Sequence, residues 1–199
     1  MNFTDLYLYA SAFETPQISV ESLRARVQVE HDVIERVDFW GCDLDDDISL
    51  GHMLLEMDRT SAYDGEFVVA SIRFDRTLNT CWRRFVCCKE LMHVFDGALE
   101  KTSDRVRFFR LMNELENGAL AEAQSLMFKS ERNAQWMALI ALCPKDLREK
   151  HKRDYVAGAT EYDIALRLRI PEGCIKALMS DEYDKSLEIL LRRDAEAGR

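Results

Sequence analysis

Lys89, Glu90 and His93 stand in the stretch RRFVCCKELMHVFD, residues 83 to 96. On a helix, residues four apart share a face, so Lys89 and His93 point the same way, with Glu90 beside them. An imidazole and a nearby carboxylate are two parts of a catalytic zinc site, which takes three protein ligands and leaves one position for water. A carboxylate next to the metal-bound water takes its proton. Lys89 does not suit a ligand position, because an ammonium has no lone pair. Stripping its proton at neutral pH costs about 1.36 kcal/mol for each of several pKa units. Alone, the Glu-x-x-His spacing is weak evidence, and it fits a helical histidine beside a Lys–Glu ion pair better than a metal site.

The surrounding segments must position these residues. TCWRRFVCCKELMHVFDGALE reads as a helix with Phe85, Val86, Lys89, Met92, His93 and Asp96 on one broad face, ended by Gly97. SDRVRFFRLMNELENG reads as a second, capped by Ser103 and stopped by Gly118. ALAEAQSLMFKSERNAQWMALIALCP is apolar around much of its circumference, as in a helix buried on several sides, and Pro144 stops it. LREKHKRDYVAG predicts a basic surface helix ending at Gly158, and DEYDKSLEILLRRDAEAGR an amphipathic terminal helix.

Upstream, ISVESLRARVQVEHDVIERVDFWG has helical spacing in its first half, and its apolar positions Val20, Leu23, Val27, Ile34 and Val37 recur in steps of three, four or seven. ISLGHMLLEMD is ambiguous. GEFVVASIRFDRTLNT reads as a pair of strands opened by the Asp64-Gly65 turn.

Taken together, RRFVCCKELMHVF and ERNAQWMALIALCP resemble the two site-bearing helices of the ImmA/IrrE zinc peptidases. Arg84 and Phe85 match an Arg-Phe pair, Cys88 a small position, and Glu90, Leu91 and His93 the His-Glu-Leu-Gly-His motif. Glu131, Ala134, Ala138, Leu142 and Pro144 match the offsets of the later motif. DIALRLRIPEGCIKALM looks like a downstream helical pair of the family, and the strand pair sits where its hairpin does. The resemblance covers roughly residues 60 to 180. It implies a zincin-like peptidase core, with His93 and Glu131 as the second and third zinc ligands and Glu90 as general base. Four positions depart from the pattern: Lys89 for the first zinc histidine, Met92 for a glycine, Gln135 for an asparagine and Cys143 for a methionine.

These departures imply a degenerate site in which the Lys89 ammonium stands in for the metal charge among Glu90, Glu131 and His93, with no cofactor. Zinc remains the cofactor if another ligand, Cys88 or His52, replaces the lost histidine. The expected fold is α+β and mainly helical, a metallopeptidase-like domain over 1–155 and a helix-turn-helix-like appendage over 156–199. The expected function is a pseudo-peptidase acting as a regulatory or protein-interaction module, related to mobile elements such as phage or to stress, with a repressor-like or regulatory protein as partner. The alternatives are an active zinc endopeptidase (a hydrolase) that cleaves a repressor, and a helix-turn-helix DNA-binding regulator.

Composition bounds these readings. The 199 residues are 47% hydrophobic, with a formal net charge of −9, enough apolar content for one substantial core and a poor electrostatic match to phosphate. Residues 38 to 66 hold nine acids against the single base Arg59, whereas residues 67 to 89 hold five bases against Asp75. Opposed solvated faces explain this better than a calcium loop, since CDLDDDISLGH lacks the EF-hand glycine and glutamate.

No stretch is apolar enough to span a bilayer. The first residues carry no basic leader, and the six cysteines form no CxxC pair, so a cytoplasmic location with reduced thiols is expected. TEYDIALRLRIPEGCIKALMS divides into two short helices at Pro171 and Gly173. The second exposes Glu172 and Lys176, a thin set for reading bases, and residues 160 to 179 hold three bases and three acids. No nucleic-acid-binding residue is assigned. Neither a glycine-rich phosphate loop nor a Gly-x-Ser-x-Gly elbow is present.

Overall fold

A computed structural model describes residues 1–44, 49–59, 65–96 and 126–197. The predicted stop at Gly97, the helix between Ser103 and Gly118, and the start of the following helix lie outside the described residues, as does Asp64.

The fold is α+β and mostly helical, with one small sheet. Helix α1 (Phe3–Ser11) starts at a capping box, in which Asn2 accepts from the Asp5 N–H and Asp5 accepts from the Asn2 N–H. Helix α2 (Val20–Glu30) is capped by Ser19. It stops where His31 Nδ1 accepts the backbone N–H groups of Val33 and Ile34, at 3.2 and 3.1 Å, drawing the chain out of helical geometry. Strand β1 (Ile34–Cys42) follows, so Ile34 and Val37 belong to a strand rather than to an extension of the helical pattern.

Strands β2 (Gly51–Asp58) and β3 (Phe67–Asp75) are antiparallel, with Gly51 opposite Phe74 and Asp58 opposite Phe67. β1 runs parallel to β3 on its other side, giving the order β1-β3-β2. The run read as two strands is therefore one, and its hairpin partner is the ambiguous segment before it. The reason is position: β3 is the central strand, and its consecutive residues Val69, Ala70, Ser71 and Ile72 are all buried. A strand covered on both faces loses the alternation that marks a half-exposed one.

Asp75 ends β3 by accepting both the N–H and the hydroxyl of Thr77 on one oxygen, at 2.7 and 2.6 Å. Asn79 then caps helix α3 (Thr80–Met92), accepting from the Trp82 N–H. A short 3-10 turn (His93–Phe95) extends α3. Helix α4 (Leu126–Leu142) packs along α3, while α2 packs on β1, and α3 on β2 and β3.

Strand parity sets which residues face α3. A Cβ on Gly51 would lie 2.5 Å from Val86 Cγ1 and 2.9 Å from the Arg73 carbonyl oxygen, so β2 reaches α3 only because that residue is glycine. Successive strand residues alternate between faces, which turns His52 away from α3 onto a rung with Arg73 and Trp40.

Helices α5 (Lys145–Val156), α6 (Glu161–Leu168), α7 (Ile175–Met179) and α8 (Glu182–Ala197) complete the described chain, with a 3-10 turn at Glu172–Cys174 before α7. Helix α5 was expected on the surface. It exposes Lys150 and Arg153 but buries Arg148 completely. The Arg148 guanidinium donates to the carbonyls of Leu178 and Ser180, each at 2.8 Å, and stacks on the Tyr183 ring at 4.5 Å. It thereby satisfies chain-end carbonyls around α7 that the short helix leaves open.

Helix α7 is only five residues long and buries Ile175, Leu178 and Met179. Asp194 of α8 accepts the Thr4 N–H and hydroxyl at 2.7 and 2.8 Å, at the N-terminal turn of α1. One contiguous core runs from Phe3 to Leu190 and crosses residue 155. No described helix is long and apolar enough to cross a membrane.

Candidate functional site

Lys89, Glu90, His93 and Glu131 meet between the C-terminal end of α3 and the first turns of α4. Helix α3 is held by its buried face, which includes Phe85, Val86, Cys88, Leu91 and Met92. Arg84 fastens its outer side, donating to the Ile18 carbonyl at 2.8 Å and the Arg169 carbonyl at 3.1 Å. Arg169 presents that oxygen from a left-handed conformation (φ 53°) at the end of α6.

The Lys89 ammonium lies between two carboxylates. Its Nζ donates to Glu131 Oε2 at 2.8 Å and forms an ion-pair contact with Glu90 Oε1 at 2.7 Å. His93 faces the same carboxylates: Nε2 is 3.3 Å from Glu131 Oε1 and 3.9 Å from Glu90 Oε2. On the other side of the ring, Nδ1 lies 2.7 Å from Asp96 Oδ2, and Ser130 donates its hydroxyl hydrogen to that same oxygen at 2.7 Å. Sequence reasoning brought the first four residues together. It placed Asp96 on the right face without a role and passed over Ser130. The usable signals were the three-residue step from His93 to Asp96 and the adjacency of Ser130 to Glu131.

The charges shape one another. Burial alone would lower the Lys89 ammonium, but Glu90 and Glu131 outweigh it and hold its pKa above the ordinary value. Burial likewise opposes charge on His93, and the Asp96 hydrogen bond together with the nearby Glu131 and Glu90 carboxylates prevails, raising it to about 10. Burial pushes Glu131 up, while the His93 contact and Lys89 pull it down to about 2. Glu90 shifts the other way: its nearly complete burial, with Glu131 nearby, raises it despite Lys89 and His93. Of the two glutamates, Glu90 is thus the one more ready to hold a proton, which runs against an ionised general base.

The cluster does not fit zinc as it stands. The position that the resemblance gives to the first ligand holds an ammonium that already occupies both carboxylates. Among the described residues, no three His, Cys, Asp or Glu side chains form a group able to hold a metal ion. Neither substitute ligand is at hand. Cys88 is fully buried with its Sγ 3.9 Å from the Ala138 carbonyl on α4, its thiol pushed well up by burial. His52 lies on the far face of the sheet. Of the other departures, Met92 is fully buried in the core and Gln135 points outward.

What remains is a half-open ionic cluster. The Glu131 side chain is 41% exposed and that of Lys89 21%, above the buried Glu90, His93, Asp96 and Ser130. Comparison with family models, with curated proteins and with solved structures found no match to the chain.

Proposed function

We propose that the chain is an ImmA/IrrE-like pseudo-peptidase that works as a regulatory or protein-interaction module. The observation that carries this reading is Lys89 Nζ, 2.8 Å from Glu131 and 2.7 Å from Glu90, at the position the resemblance gives to the first zinc histidine. Without a cation, two carboxylates and their shared surroundings would repel one another. The ammonium supplies that cation from within the chain, so the fold needs no metal at this point. Such a protein would bind its partner rather than cut it, and the resemblance points to a repressor-like or regulatory protein in a mobile-element or stress setting.

An active zinc endopeptidase is the second reading. It draws on His93 Nε2 and Glu131 Oε1, two of the three implied ligands, standing 3.3 Å apart. The helix-turn-helix DNA reading draws on nothing comparable, since α7 has five residues and a buried face.

Elemental mass spectrometry on wild type and Lys89→His, each purified without chelator and exposed to zinc, separates the first two readings. The pseudo-peptidase reading expects metal-free wild type and about one zinc ion per chain in the variant, as a mononuclear site requires. Zinc in wild type that is lost on His93→Ala would overturn it and make repressor cleavage the next assay.

A further inference from the structure

We propose that Asp96 and Ser130 are positioning residues that fix the orientation of the His93 ring, keeping a hydrogen on Nδ1 and turning Nε2 toward Glu131 and Glu90. The proposal rests on the reading of this cluster as the functional site.

The geometry is specific about which ring nitrogen does what. Asp96 Oδ2 stands 2.7 Å from Nδ1, and the Ser130 oxygen stands 3.3 Å from it. The Ser130 hydroxyl spends its hydrogen on Asp96 Oδ2, so it turns lone pairs toward the ring. Nδ1 therefore faces two acceptors. Without a hydrogen it would set its own lone pair against a carboxylate at hydrogen-bond distance. Whatever the charge of the ring, Nδ1 carries hydrogen and Nε2 is the atom left to act.

Position supports this assignment. Asp96 follows the 3-10 turn in extended backbone, and Ser130 comes from α4, so the ring is gripped from two elements. Ser130 is fully buried and Asp96 nearly so. Ser130 is out of reach of any substrate, which excludes a serine nucleophile despite the Ser, His and Asp composition. A purely structural knot would satisfy its polar atoms. Here Nε2 is buried, aimed at the carboxylates, and without a hydrogen-bond partner among the described residues. Holding one imidazole nitrogen with a carboxylate so that the other meets a ligand is how histidines are prepared for metal ions and for proton transfer.

The test uses protein labelled with 15N-histidine and long-range proton–nitrogen NMR spectra. In wild type, His93 should show a solvent-protected Nδ1–H. Asp96→Asn should move or abolish that signal while unfolding stays cooperative, and Ser130→Ala should shift it less. If Asp96→Asn does not fold, the Ser130→Ala shift decides. In the Lys89→His background, the same Asp96→Asn change should weaken zinc affinity roughly 10- to 100-fold, the usual effect of losing such a partner.

A wild-type ring with hydrogen on Nε2 alone would overturn the proposal. So would an unchanged Nδ1–H signal in both variants. Failure of Lys89→His to take up zinc would count against the pseudo-peptidase reading only, since the NMR signal of the wild-type ring does not depend on metal.

Discussion

Replacing Lys89 with methionine keeps most of the side-chain bulk and removes the charge that Glu90 and Glu131 share. Breaking a fully buried ion pair from one side costs about 3–5 kcal/mol. The cost here is smaller, because the Glu131 side chain is 41% exposed and water screens it. A ceiling also exists. Glu90 is already shifted toward holding a proton, and neutralising an ordinary carboxyl at pH 7 costs about 3.7 kcal/mol at most. We expect Lys89→Met to lose about 2–3 kcal/mol at pH 7, which for a chain of this size lowers the Tm by roughly 4–12 °C.

The deficit must shrink as pH falls toward 4, since protonating Glu90 becomes cheaper. Adding Glu90→Gln to Lys89→Met should recover most of it. Urea titrations at pH 7 and pH 5 read all of this. A loss below about 0.5 kcal/mol at pH 7, or a loss that grows on acidification, would refute the idea that Lys89 neutralises a carboxylate cage.

Other outcomes follow from the same geometry. Glu131 has a depressed pKa, so its contribution is present above the unfolded value near 4.3 and fades as pH falls toward about 2; Glu131→Gln should flatten acid denaturation across that window. His93 has a raised pKa, so its contribution is complete below about 6.5 and is lost as pH rises through about 10; His93→Gln should be less sensitive to alkali than wild type in thermal melts. Arg148→Met should lower stability by about 3 kcal/mol or more in urea titration, because it strips the buried carbonyls of Leu178 and Ser180 of their donor. Gly51→Ala should cost roughly 1–3 kcal/mol by the same assay, because backbone as well as Val86 stands in the way of its Cβ.

The sequence showed the helices best where apolar residues recur at helical spacing, as along α3, α6 and α8. It hid β1, because Ile34 and Val37 fall on steps that a helix would also use. β3 was obscured for the opposite reason, its buried residues being continuous. Within the candidate site, Lys89, Glu90 and His93 were legible from spacing on one helix. Glu131 came forward only through the resemblance, and the link from Asp96 to Ser130 spans 34 residues that no local pattern bridges. Arg148 was misread because a basic helix is ordinarily a solvated one. Its burial depends on carbonyls that only the tertiary fold brings to it.

The close approach at Gly51 also discriminates between alternative pairings of the sheet. Shifting β2 by one residue against β3 would leave its backbone hydrogen-bonding capacity nearly intact and would exchange its two faces. In that slipped pairing, Leu50 or the His52 imidazole would replace Gly51 against Val86, where even a methyl group has no room. The single missing side chain thus makes the wrong register sterically inaccessible and keeps His52 on the far face. A gap in the side-chain sequence selects one sheet alignment over its neighbours.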